Sequence, residues 1–270
     1  MKKITAVVLA LAMVFALCAV SAFAADDALI LGTSADYAPF EFMYADEDGN
    51  MQYAGIDVSA AKYIAEDMGK ELKIENMSFD YLLVALAKGD YDMVISAMEC
   101  TEERQNAADF SDPYYDDLPP MILVKADKAE EYKTLADFAG KSVGAQTGTT
   151  RLESVENDME GAVPVALALV TDLVNELVYD KVDAIVLDGA VAMEYVNSNP
   201  DLVVAPASEE FGTPAYYCVA VAKGDPKGLL PAINEAIAKM KEANAVEQFI
   251  ADADALSGVA EEISVDAPEE

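Results

Sequence analysis

Histidine and tryptophan are both absent from this 270-residue chain. Without histidine, the commonest general base and metal ligand is missing. Cations are scarce: 17 Lys and Arg stand against 50 Asp and Glu, for a net charge of −33. So acidic a surface favours solubility and repels nucleic acid and anionic membrane alike. Three cysteines occur, Cys18, Cys100 and Cys218, none in C-x-x-C spacing. No Walker phosphate loop is present, so ATP hydrolysis would belong to a partner. These absences lead us to expect no metal, no cofactor and no catalytic residues.

Long apolar runs are also missing, with one exception at the start. Lys2 and Lys3 precede an apolar run over residues 4–20, and Ser21, Ala22, Phe23 and Ala24 come next in an A-x-A cleavage pattern. This is the form of a secretory signal peptide, residues 1–24, cleaved after Ala24. Leu17 stands before Cys18 where a lipidation site would want a small residue, so we expect a protein free of lipid, periplasmic or extracellular. Cys100 and Cys218 remain after cleavage. In an oxidising compartment they form either a disulfide or a pair of small buried hydrophobes.

Beyond the signal peptide, short apolar strands alternate with helical stripes. Leu29, Ile30 and Leu31 read as a buried strand; Val58, Ala61, Ile64 and Met68 fall on one helical face that ends at Gly69. The same rhythm recurs in the second half, with strands near 142–145, 183–187 and 217–222, a helix capped by Thr171, and closing helices near 232–240 and 245–253. The spacing predicts an α/β protein with two mainly parallel sheets flanked by helices. Residues after 256 are acidic and poor in large apolar side chains, which predicts a flexible tail over 257–270. In α/β sheets ligands bind beyond the carboxyl ends of strands. Segments 34–37, 96–104, 146–150 and Asp188 hold those places, which suggests one cleft between two lobes.

The residues in these segments form a recognisable set. The stretch GTSADYAPFEF at 32–42 resembles the opening of the family 3 extracellular solute-binding proteins, receptors of amino-acid ABC transporters. GIDV at 55–58, TEER at 101–104 with DFSDPY at 109–114, QTGTT at 146–150 and DAIVLD at 183–188 are similar to that family's motifs, in its order, over nearly all of the chain beyond the signal peptide. The resemblance implies a two-lobed periplasmic binding protein fold of the type II kind. Lobe 1 would comprise residues 25–115 plus 214–256 and lobe 2 residues 116–213, with hinge crossings near 115–119 and 212–216.

Arg104 is the sharpest candidate. A guanidinium offers a planar fork that fits a carboxylate bidentately, and the resemblance gives Arg104 the ligand's α-carboxylate. Its plainer role is a surface pair with Glu102 or Glu103. Asp188 would take the α-ammonium, or else cap the helix after it. Gly148, Thr149 and Thr150 begin a helix whose N–H groups and dipole attract the same carboxylate. By resemblance Tyr37 and Phe79 enclose the ligand side chain, with Ser34, Ser96, Ala97 and Gln146 lining the site. Glu99 departs from the family, which places Ser or Thr there. A carboxylate at that point repels the ligand's own. It either pairs away from the site with a lysine, binds a cationic or amide part of the ligand, or neutralises Arg104.

The function expected is capture of a polar or basic amino acid and its delivery to a permease with ATPase subunits, by a monomer that binds no nucleic acid. The competing expectation is a dehydratase on the same fold, with Glu99 as general acid toward a cyclic carboxylic acid.

Overall fold

The computed structural model describes residues 28–265, with side chains through Ser257; the expected signal peptide and its cleavage site lie outside the described residues. Two five-stranded sheets form the two lobes. The first joins, in order, Glu71–Asn76, Ala28–Thr33, Met93–Val94, Ala220–Ala222 and Ala108–Phe110. The second joins Val163–Leu167, Ser142–Gln146, Ala184–Leu187, Met121–Lys125 and Leu202–Val204. Each sheet was expected to be mainly parallel, and each is mixed. Three strands run parallel in both, but Met121–Lys125 and Ala220–Ala222 pair antiparallel to their neighbours. Each of these is the first sheet strand after a crossing between lobes, so it enters its sheet from the cleft side and runs against the local βαβ direction.

The two crossings pair with each other. Tyr115–Asp116 and Tyr216–Tyr217 form an antiparallel ribbon, extended by the Asp117 N–H donating to the Ala215 carbonyl at 2.9 Å. Phe40, Tyr115 and Tyr217 pack around this ribbon, with ring centroids 5.0 to 5.9 Å apart.

Helix Ile56–Asp67 shows how sequence sets local structure. Gly55 adopts φ +118, and a Cβ there would meet the Phe40 carbonyl oxygen at 2.0 Å, so only glycine allows the chain to turn this closely. The helix buries Ile56, Val58, Ala60, Ala61, Ile64 and Ala65. Gly69, at φ +68, receives the chain just after the helix. The expected helix over 79–88 splits into a 3-10 turn, Phe79–Tyr81, and helix Leu82–Lys88. The expected late strand over 217–222 is broken in the same way, into Tyr216–Tyr217 and Ala220–Ala222.

Two further expectations fail. Thr171 does not cap its helix, which begins one residue earlier at Val170; the Val170 N–H is instead taken by Asp36 of the other lobe, at 2.8 Å. The tail expected to be flexible from residue 257 continues helix Ala245–Val265. Its Ser257 is buried, donating to Glu194 Oε1 at 2.5 Å. A run of alanines and acids with no glycine at 245–257 sustains a helix that composition alone assigned to coil.

Helix Gly189–Ser198 starts against the hinge. A Cβ on Gly189 would stand 2.4 Å from Leu118 Cβ and 2.6 Å from the Pro119 carbonyl oxygen. Asp117 Oδ1 accepts from Ala190 N–H at 3.1 Å, capping this helix from the hinge, while Oδ2 accepts from the Tyr217 hydroxyl at 2.6 Å. Replacing Gly189 with Ala should therefore cost about 2 kcal/mol or more of stability in urea denaturation; a loss below about 0.5 kcal/mol would show that the hinge yields. Burial lifts the Asp117 carboxyl to about 6. A raised carboxyl favours the folded state most when protonated, so its contribution is present below the ordinary carboxylate range and falls as pH rises through about 6. Across about pH 4 to 6, wild-type stability relative to Asp117→Asn should fall, by up to about 3 kcal/mol; a flat difference would reject the shift.

Candidate functional site

All eleven ligand-site candidates line one cavity between the lobes: Ser34, Tyr37, Phe79, Ser96, Ala97, Glu99 and Arg104 from the first, Gln146, Thr149, Thr150 and Asp188 from the second. Glu41 lines it too and was not foreseen. The empty space among these groups is about 320 Å³.

Arg104 sits in the helix Glu102–Ala107, where Thr101 caps by accepting the Arg104 N–H at 3.2 Å. Its Nη1 donates to the Glu99 carbonyl at 3.1 Å and its Nη2 to the Gly148 carbonyl, across the cleft, at 3.2 Å. The guanidinium lies over the Phe79 ring, 5.3 Å from the centroid. Among the described residues no carboxylate comes within ion-pair distance of it, so the expected alternative of a pair with Glu102 or Glu103 is not realised. Gly148 takes φ +78, and a Cβ on it would stand 3.0 Å from Asp80 Cβ. Glycine here lets the 146–150 turn approach the Phe79–Tyr81 turn of the other lobe. Thr149 caps helix Thr150–Asp158, accepting from Leu152 N–H at 3.3 Å and donating to the Gln146 carbonyl at 2.7 Å.

Glu99 takes none of the three expected roles. Its carboxylate pairs across the cleft with Arg151, Oε1 to Nη2 at 2.6 Å, and also accepts from the Thr150 hydroxyl. Only its backbone carbonyl touches Arg104. Arg151 is buried and was missed, although it stands immediately after the QTGTT stretch in a chain with few cations. Its Nε also stands 3.1 Å from Asp188 Oδ1. Burial pulls the Arg151 guanidinium down, but Asp188 and Glu99 outweigh that and raise it above its ordinary value.

Asp188 occupies the N-cap position of its helix but makes no side-chain capping bond. With Asp117 serving that end, the Asp188 side chain turns to the cleft. Oδ2 accepts from the Tyr37 hydroxyl at 2.7 Å, while Oδ1, fully buried, meets no donor in hydrogen-bonding geometry despite the nearby Arg151. Burial raises the Asp188 carboxyl, against the pull of Arg151.

Behind the first-lobe wall, Asp57 accepts from the Ala97 N–H and the Tyr114 hydroxyl, each at 2.6 Å. Ala97 lies at φ +43, a conformation costly for a side chain with a Cβ, and the bond to Asp57 holds it there. Ser96 donates to Glu41 Oε1 at 2.5 Å and accepts from the Ser34 N–H at 3.1 Å. Gln146 donates to the Ala168 carbonyl at 3.0 Å.

The possible disulfide does not form: Cys100 and Cys218 are free thiols. They are neighbours, since the Cys218 N–H donates to the Met98 carbonyl at 3.0 Å. Burial, then the adjacent Cys100, pushes the Cys218 thiol up to about 12. Cys218 thus fits the reading as a buried hydrophobe; Cys100 is half-exposed and its Sγ accepts from Gln105 Nε2 at 3.3 Å.

Two α/β lobes, a paired hinge and a charged cleft define a two-lobed solute receptor. The chain belongs to the bacterial extracellular solute-binding proteins, family 3, whose pattern matches residues 29–252. It is 33% identical over 224 residues to the ABC transporter arginine-binding protein 1 of Escherichia coli, covering 82% of this chain and 88% of that protein. It is 34% identical over 227 residues to the arginine-binding extracellular protein ArtP of Bacillus subtilis, covering 82% and 84%. Its fold is similar to the crystal structure of the amino acid ABC transporter substrate-binding protein AbpA of Streptococcus pneumoniae bound to L-arginine, with TM-score 0.79 and 33% identity, covering 86% and 96%. No helix among the described residues is long and apolar enough to cross a membrane.

The Glu99–Arg151 pair generates a test. Arg151→Gln or Glu99→Gln alone should cost about 3 kcal/mol, because each strands a buried charge, while the double variant should cost clearly less. Urea denaturation of the four proteins measures this; additive losses would show that the pair is not coupled.

Proposed function

We propose that the chain captures an amino acid in the interlobe cleft and delivers it to an ABC transporter permease with its ATPase subunits. The observation that carries this is Arg104. Its guanidinium faces the cavity, held only by two carbonyls and an aromatic face, and presents its charge to an incoming carboxylate. The helix start at Thr150 adds a favourable dipole for the same anion. Asp188, with one buried oxygen that lacks a hydrogen-bond donor, suits the α-ammonium. Tyr37 and Phe79 supply apolar walls. Two charge-assisted contacts of about 1.5–3 kcal/mol each, with burial of the side chain, suffice for micromolar capture near about −8 kcal/mol.

The ligand's side chain is cationic in this reading, with arginine the first candidate. The similar proteins from Escherichia coli, Bacillus subtilis and Streptococcus pneumoniae, all described by arginine, support that choice. The protein acts as an exported monomer after removal of residues 1–24, and its lobes, 25–115 with 214–256 and 116–213, close about the hinge ribbon. The dehydratase alternative loses its acid, because a carboxylate committed to Arg151 and Thr150 is not poised to protonate a leaving group.

Isothermal titration of the protein without its first 24 residues should show arginine binding. Arg104→Ala should weaken it by about a hundred-fold or more. Unchanged affinity would place the carboxylate elsewhere, and no heat from any common amino acid would sink the reading.

A further inference from the structure

Glu41 is the one carboxyl of the cavity that no cation or head-group contact claims. It lies on the strand Glu41–Ala45, 1% exposed, on the side of the cavity lined by Ser34 and Ser96 rather than the side where Arg104 meets Gly148. Oε1 accepts from the Ser96 hydroxyl, and the buried Oε2 meets no donor. Its neighbour is another buried acid, Asp57, whose two oxygens are already taken by Ala97 and Tyr114. Among the described residues neither acid has a Lys or Arg at ion-pair distance. Two buried carboxyls side by side cannot both ionise without a cation, so the pair holds a shared proton. Burial, then Asp57, holds Glu41 well above the ordinary carboxylate range, and burial lifts Asp57 to about 6.

The charges elsewhere in the cleft cancel. Arg104 and Arg151 stand against Glu99 and Asp188, which matches a ligand head of one carboxylate and one ammonium. The Glu41–Asp57 pair is left over, carrying one net negative charge with its proton in place.

We propose that Glu41 receives the positively charged end of the ligand's side chain, and that this cation takes the place of the proton the two acids share. The proposal rests on the amino-acid reading above and adds the residue that selects a cationic side chain. On binding, the Glu41 O–H bond breaks, the proton leaves to buffer, and the carboxylate pairs with the incoming cation. A ligand of the same shape with a neutral end leaves the proton where it is. The other charged or titratable groups facing this place are Asp36 and Tyr37 from the neighbouring strand, Tyr114 on Asp57, and Asp188 with Arg151 across the cleft. Asp36, raised by burial, caps Val170, and the tyrosines are raised by burial beside carboxylates, so none of them releases a proton in exchange for a cation.

The test compares arginine with citrulline, which replaces the guanidinium by an uncharged ureido group. Titrations at neutral pH in buffers of different ionisation enthalpy count the protons released. Arginine should release close to one more proton than citrulline, and its affinity should rise with pH between about 6 and 8 while that of citrulline stays flat. Glu41→Gln keeps the size of the side chain; it should lower arginine affinity by about thirty-fold or more, toward that of citrulline, and abolish the extra proton. The wild-type proton count needs no variant, so it decides the matter even if Glu41→Gln misfolds. Equal proton release from both ligands, or full arginine affinity in a folded Glu41→Gln protein, would overturn the role of Glu41 and leave the amino-acid reading standing. Binding of neither ligand by the wild type would sink both.

Discussion

The buried guanidinium of Arg151, set between Glu99 of one lobe and Asp188 of its own, is the interaction on which the cleft depends. A carboxylate at position 99 without a partner would either repel a ligand carboxylate or neutralise Arg104. Arg151 prevents both. It draws the Glu99 side chain across the cleft, so that only the Glu99 backbone carbonyl remains on Arg104. Buried ion pairs contribute little net stability, since desolvation offsets most of the Coulomb gain, but removing one partner is costly. The pair is therefore better understood as fixing which charges face the cavity than as holding the fold together.

A second theme is that helix ends in this cleft are capped from a distance. Asp117, in the hinge, serves the helix that begins at Gly189; Asp36, in the first lobe, serves the helix that begins at Val170 in the second. The first arrangement frees Asp188, which sits at the N-cap position and would otherwise be spent on its own helix. The second makes the start of a second-lobe helix depend on lobe closure. In both cases a backbone requirement, the unsatisfied N–H groups of a first turn, is met by a residue that also ties the helix to the hinge or to the opposite lobe.

Much of this could be read in the sequence, for reasons that differ by residue. Arg104, Asp188 and the 146–150 turn were legible because the strand-end rule and the motif order both pointed at them, and all eleven candidates do share one cavity. Arg151 and Glu41 were missed although both lie within or beside quoted motifs. Their importance comes from pairings across 52 and 16 residues, with Glu99 and Asp57, that no local pattern reveals. The mixed sheets were missed because strand direction after a lobe crossing is a property of topology, whereas alternating elements report only a local βαβ rhythm. The last helix was expected to end too early because acidic composition argues for disorder only when no apolar face is buried. Ala253 and Ser257 are buried here, which supplies the tertiary contact that composition cannot register.

The scarcity of cations gains a meaning once the cleft is known. With 17 basic residues against 50 acids, two guanidiniums are nonetheless placed at the cavity, where they balance Glu99 and Asp188. The rest of the chain is left strongly negative. A negative field around the molecule raises the local concentration of cationic solutes, an effect that salt screens over about 10 Å at about 0.1 M. The acidic surface and the cleft thus divide the work of selecting a basic amino acid: long-range charge draws it in, while a locally neutral head-group site and the acid pair at Glu41 and Asp57 discriminate at contact. An acidic amino acid would be disfavoured at both stages, by the surface before it arrives and by Glu41 once inside.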